Sequence, residues 1–133
     1  MTTTDVAISS RADVERARRA ARMLALDLGF SRDDAERVTL AVSELATNLL
    51  KYAREGRMAA TAISGTRPGI QIESQDTGPG IADIPSAMVD GYSTGGGLGG
   101  GLAGVQRLMD SVEIERSQKG THVTARKWLL RKS

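Results

Sequence analysis

YSTGGGLGGGLAGV, Tyr92–Val105, is the stretch whose reading decides the fold, because seven of its fourteen residues are glycine. A flexible linker would not interrupt its glycines with Leu98, Leu102 and Val105, and LAGVQRLMD, starting at Leu102, reads as a helix that begins at once. A P-loop needs Gly-Lys-Ser/Thr after the glycines to put a lysine and a hydroxyl on phosphate and magnesium, and none follows. Gly99, Gly101 and Gly104 satisfy the dinucleotide pattern GxGxxG, but PSAMVDGYSTGGG before them is no strand. What remains is a glycine-rich loop leading into a helix N-terminus, where unpaired N–H groups and the helix dipole favour an anion. Phosphate is the natural candidate.

Working back from that run, Thr77–Gly104 holds most of the chain's glycines and two of its three prolines, and reads as loop around a short helical piece, SAMVDGY. Two strands are expected before it, RMAATAIS from Arg57 and GIQIESQD from Gly69, joined by a turn at Gly65–Pro68. In the second, Ile70 and Ile72 share a face and Asp76 falls at the strand end. Upstream, Val38, Ala41, Val42, Leu45, Leu49 and Tyr52 repeat at helical spacing and predict a helix from about Arg32 to Ala53, opened by Ser31 with Asp34 and stopped by Gly56. An earlier helix over Ala12–Leu28 carries Val14, Ala17, Ala21, Leu24, Ala25 and Leu28 on one stripe and ends at Gly29. A short β-like stretch, Val6–Ser9, precedes it. Downstream, SVEIERS and GTHVTARKWL alternate as paired strands about a turn at Gln118–Gly120.

That order of elements predicts an α/β sandwich, two layers with a mixed, mostly antiparallel sheet covered by helices on one face. The 133 residues, 40% of them hydrophobic, suit one domain spanning 1–133, with no internal repeat. A net charge of +2 with scattered basic residues does not suggest a broad nucleic-acid surface. Arg11, Arg16, Arg18, Arg19 and Arg22 lie largely off the first helix's stripe, as a solvated face would. With no cysteine and a single histidine, His122, neither thiolate nor histidine metal clusters can form. No apolar run approaches the roughly 20 residues of a membrane helix, and no signal-peptide core opens the chain, so a cytoplasmic protein is expected.

Two further groups can join the glycine run in one site. In ELATN, Glu44 and Asn48 are four residues apart, which puts a carboxylate and an amide one turn apart on one helix face, beside the apolar stripe. In DTGPGI, Asp76–Ile81, a carboxylate at a strand end followed by glycines can accept a hydrogen bond from an exocyclic amine while the backbone approaches a flat ring. Taken singly, the first is an ordinary solvated helix face and the second an ordinary strand-ending turn.

Their order carries more than any one of them. Glu-x-x-x-Asn on a helix, Asp-x-Gly-x-Gly after a strand, a glycine-rich run before a helix, and Gly120-Thr121 in a final hairpin together resemble the nucleotide-binding boxes of the GHKL (Bergerat-fold) ATPase/kinase superfamily. Within it, VSELATN, DTGPGI, DGYSTGGGLGGGLAGVQRLMD and GTHVTARKWL are similar to the RsbT-type switch serine/threonine-protein kinases of the stressosome, over nearly the whole chain. The resemblance implies ATP and Mg2+ as cofactors. It implies that Asn48 holds the magnesium, that Glu44 is general base or orients the attacking hydroxyl, and that Asp76 reads the adenine amine. It further implies that Gly78 belongs to the nucleotide site, that Gly80 gives room beside the base, that Thr121 contacts it through water, and that Gly97, Leu98, Gly99, Gly100, Gly101 and Leu102 line the phosphates. Lys51, placed in NLLKY as in the NxxKY of related histidine kinases, is a further candidate phosphate contact.

For partners, the resemblance implies STAS-domain scaffold and antagonist proteins, which such kinases phosphorylate, and a PPM-type phosphatase, which they activate by binding after release. Two alternatives stay open: an anti-sigma-factor kinase of the same superfamily, and a binding module that keeps the nucleotide fold without transferring phosphate. A histidine kinase fits poorly, because it would need a dimerising helical pair bearing a phosphoacceptor histidine, and His122 falls in a predicted strand.

Overall fold

The computed structural model describes residues 3–53, 55–77, 98–117 and 120–129. Within them the chain runs β1 (Thr3–Ile8), α1 (Arg11–Leu28), α2 (Arg32–Tyr52), β2 (Glu55–Ile63), β3 (Gly69–Thr77), α3 (Leu98–Leu108), β4 (Ser111–Ser117) and β5 (Gly120–Trp128). The strands form one sheet in the order β1-β2-β3-β5-β4, and every pairing is antiparallel. The sheet is thus antiparallel throughout the described residues, within the α/β class the element order predicts. The expected helical piece SAMVDGY, with Gly78, Gly80 and Gly97, lies outside the described residues.

Both long helices start on serine caps. The Ser10 hydroxyl accepts the Asp13 amide at 3.3 Å and the Ser31 hydroxyl accepts the Asp34 amide at 3.1 Å, each satisfying a donor that a helix N-terminus leaves unpaired. Gly29 ends α1 at φ 103°, a left-handed conformation that costs a side-chain-bearing residue about 1–2 kcal/mol. α2 ends at Ala53 in extended backbone, and Gly56 already belongs to β2. The expectation that Gly56 stops the helix is therefore corrected: the glycine works as a strand residue. β1 also begins earlier than the apolar pattern suggests, since its outer positions are polar and only pairing with β2 defines them.

α1 and α2 pack on each other and on the sheet, and α3 packs against α2. Leu45 of α2, Ile70 and Ile72 of β3, and Leu102 and Val105 of α3 are essentially buried where these layers meet. The alternation in β3 is clean: Ile70, Ile72 and Ser74 are buried, while Gln71, Glu73 and Gln75 point to the other face. Asp76 continues the helix-facing set. On the open face, His122 Nε2 lies 3.0 Å from Glu73 Oε1, so the chain's one histidine is a paired strand residue. The arginines of α1 are in part internally paired, Arg16 with Asp13, Arg18 with Glu15 and Arg22 with Glu36.

α3 begins at Leu98, several residues before the expected helix, so Gly99–Gly101 belong to its first turn and not to a loop. Glycine costs a helix about 1 kcal/mol per residue relative to alanine, and burial of Leu102, Ala103 and Val105 offsets that cost. No helix among the described residues is long and apolar enough to cross a membrane.

Candidate functional site

The centre of the candidate site is the end of β3. The Thr121 amide of β5 donates to Asp76 Oδ1 at 3.1 Å, joining the two strands just beyond their last register pair, Gln75 with His122. Burial raises the Asp76 pKa above its ordinary value of 3.8, against the opposing pull of the Thr121 hydrogen bond. Gly120 makes the junction possible. It sits at φ 150°, and a Cβ there would collide with the Asp76 carbonyl oxygen, so only glycine lets β5 run this close.

A cavity of about 330 Å3 opens at this junction, lined by Asp76, Gly120 and Thr121 together with Glu55, Arg57, Gln75 and His122, so it lies at the end of the sheet and reaches its open face, with no α2 or α3 residue among its described lining. Its size is that of a small-molecule pocket, and a half-buried carboxylate beside backbone amides is suited to an amine-bearing flat ring.

α2 reaches the same end of the sheet. Ile8, Gly56 and Asp76 are register partners across β1, β2 and β3, and a Cβ on Gly56 would stand 2.9 Å from the Leu49 Cβ. The bare glycine therefore admits Leu49 against β2, beside the strand position that carries Asp76. Asn48 precedes Leu49 and is half-buried, with its side-chain nitrogen buried and without a hydrogen-bond partner among the described residues. Such an orphaned group calls for a ligand, and a half-turn of the amide would present its oxygen instead, the atom a hard cation takes. Glu44, one turn earlier on the helix, is exposed. Lys51 is exposed in the last turn of α2, where a cation also suits the helix dipole. None of Glu44, Asn48 and Lys51 is among the described residues lining the Asp76 cavity.

For the phosphate cradle, α3 changes the expected donors. Leu98, Gly99 and Gly100 occupy the first turn, whose amides the helix leaves unpaired, whereas the helical pattern pairs the Leu102 amide with the Leu98 carbonyl and the Leu102 side chain is buried. Among the described residues no three acidic, histidine or cysteine side chains cluster to hold a metal. A magnesium ion carried by a nucleotide keeps several waters and needs only one or two protein ligands. The donor set, an amide on α2 and a helix N-terminus, fits such a group.

A family model for the histidine kinase-like ATPase domain matches residues 8–127, from the last residue of β1 through the whole helical layer to nearly the end of β5. The chain belongs to the histidine kinase-like ATPase family. Across 126 residues it is 43% identical to serine/threonine-protein kinase RsbT of Bacillus subtilis (strain 168), covering 93% of this chain and 95% of that protein. Similarity over nearly both full lengths supports serine/threonine-protein kinase activity in general.

The strand-end position of Asp76 and the hairpin position of Thr121 are legible in the sequence; Gly56 as the seat of Leu49 is not. A glycine next to a strand pattern signals close backbone approach as well as a helix stop, and that second meaning is the one that applies here.

Proposed function

We propose that this chain is an ATP-dependent serine/threonine-protein kinase of the RsbT type, acting in the cytoplasm as a single domain over residues 1–133. The observation that carries the reading is Asp76, half-buried at the end of β3 and held by the Thr121 amide beside a cavity of about 330 Å3. In it, Asp76 accepts the adenine amine, with Gly78, Gly80 and Thr121 around the ring. The N-terminal turn of α3 and Gly97, Gly99, Gly100 and Gly101 face the phosphates, with Lys51 as an outlying contact. Asn48 is the protein ligand for Mg2+. When bound, the magnesium nucleotide supplies the phosphoryl group and the ion offsets its negative charge.

Phosphoryl transfer depends mainly on positioning and charge neutralisation, so the protein's part is to hold the parts in line. Glu44, exposed on α2 one turn from Asn48, is open to an incoming protein and accepts or orients the acceptor hydroxyl proton. The acceptor is a serine or threonine on a STAS-domain scaffold or antagonist protein, and the released kinase then binds and activates a PPM-type phosphatase.

The test is incubation of the protein with labelled ATP, Mg2+ and a STAS-domain protein encoded beside it. Label on a serine or threonine, lost in Asn48→Ala and Asp76→Ala, is the expected result. Transfer that survives either substitution contradicts the site. ATP binding without transfer would mean a nucleotide-binding switch module, and capture of a sigma factor in place of a STAS protein would mean an anti-sigma-factor kinase.

A further inference from the structure

Lys127 is the one lysine buried among the described residues, with 9% of its surface exposed, and nothing in the proposed reaction uses it. Burying an amine is costly unless its hydrogen bonds are met, so an apolar residue would be the cheaper occupant of this strand position. Its Nζ donates to the Leu108 carbonyl at 3.1 Å, one of the acceptors that the C-terminus of α3 leaves open, where a cation also meets the negative end of the helix dipole. Two more bonds make the same joint. The Asp110 amide donates to the Arg126 carbonyl at 2.8 Å, and Asp110 Oδ2 accepts the Trp128 amide at 2.8 Å.

β5 therefore holds both parts of the site. Thr121, Val123, Ala125 and Lys127 alternate onto the helix side of the strand. At one end Thr121 grips Asp76; roughly 20 Å away, Lys127 grips the C-terminus of α3. The helix, 11 residues and so about 16 Å long, is a stiff rod whose other end carries the amides of Leu98, Gly99 and Gly100, which the helix itself does not pair.

We propose that Lys127 is a positioning residue for nucleotide phosphate: through the Leu108 carbonyl it fixes α3 relative to Asp76, so that base and phosphates are held at matching distances. This rests on the reading that the α3 N-terminus faces phosphate. Its signature is selective, because loosening the joint harms the phosphate end of the ligand and leaves the base end, made by Asp76 and Thr121, intact.

Isothermal titration of wild type and Lys127→Met with ATP and with adenosine, each with Mg2+, separates the two ends. The expected result is ATP affinity lowered about tenfold in Lys127→Met with adenosine affinity unchanged, and partial recovery in Lys127→Arg. Equal losses for ATP and adenosine would show a merely structural lysine and overturn the proposal, as would unchanged ATP affinity. Wild type that binds ATP no better than adenosine would sink the phosphate reading of α3 together with this one, whereas a wild-type preference retained in Lys127→Met sinks this one alone. If Lys127→Met does not fold, Asp110→Ala, at an exposed residue in the same joint, is expected to show the same ATP-selective loss and overturns the proposal if it does not.

Discussion

Leu49 is seated on Gly56: a Cβ on that glycine would lie 2.9 Å from the Leu49 Cβ and 3.1 Å and 3.2 Å from its two methyl carbons. Through this contact the second helix, with Asn48 next to Leu49, is lowered onto the strand whose partner at that row is Asp76. Gly56→Ala is expected to destabilise the protein by about 1–3 kcal/mol through overpacking, read by urea unfolding. In a Leu49→Ala background the same change should cost less by about 1 kcal/mol or more, since the clashing methyls are gone. Additive costs in the double variant would show that the two residues do not meet.

Gly120 is constrained on two counts, its φ of 150° and the Asp76 carbonyl oxygen where a Cβ would sit. Gly120→Ala is expected to lower stability by about 1–3 kcal/mol and to weaken nucleotide binding by separating Thr121 from Asp76. Thermal unfolding checks the first effect and ATP titration the second; unchanged ATP affinity would place the nucleotide elsewhere.

Asp76 should trade stability for function. Its folded pKa lies above 3.8 because of burial, so the charged form is the one folding disfavours: the penalty is present at neutral pH, starts to shrink as pH falls to the folded pKa and is gone below the ordinary 3.8. Asp76→Asn is therefore expected to unfold at a higher temperature than wild type at pH 7, the gap closing on acidification, while losing ATP affinity. A variant less stable at neutral pH would contradict this.

Asp13 has the opposite sign. The Ser9 amide and hydroxyl, then Ser10 and Arg16, hold its carboxyl at about 2 against an ordinary 3.8. Its contribution to stability is complete above the unfolded value and is lost as pH falls from about 4 towards 2. Asp13→Asn should be less stable at neutral pH and should show a shallower acid limb in that window, measured by circular dichroism melts.

The sequence makes legible what is local. The α1 and α2 stripes, the Ser31 cap, the left-handed Gly29, the alternation of Ile70 and Ile72, and Asp76 at a strand end all follow from neighbours within a turn or two of chain. What escapes is set by distant partners. Gly56 reads as a stop because its partner, Leu49, is met across a helix–strand contact that composition does not encode. Gly99–Gly101 read as loop because glycine disfavours helix, and only tertiary burial of Leu102, Ala103 and Val105 decides otherwise. The polar start of β1 shows no alternation of its own and is fixed by pairing with β2, and Lys127 looks like one of several exposed basic residues near the chain end until its bond to Leu108 is seen.

The central claim is that Asp76 reads the amine of adenine. Titration of wild type and Asp76→Asn with ATP and with inosine triphosphate, which carries a carbonyl in place of that amine, tests it most directly. Wild type should bind ATP at least about tenfold tighter than inosine triphosphate, and Asp76→Asn should lose or invert that preference, because an asparagine amide can donate to the carbonyl. Equal affinity of the wild-type protein for the two nucleotides would contradict the account.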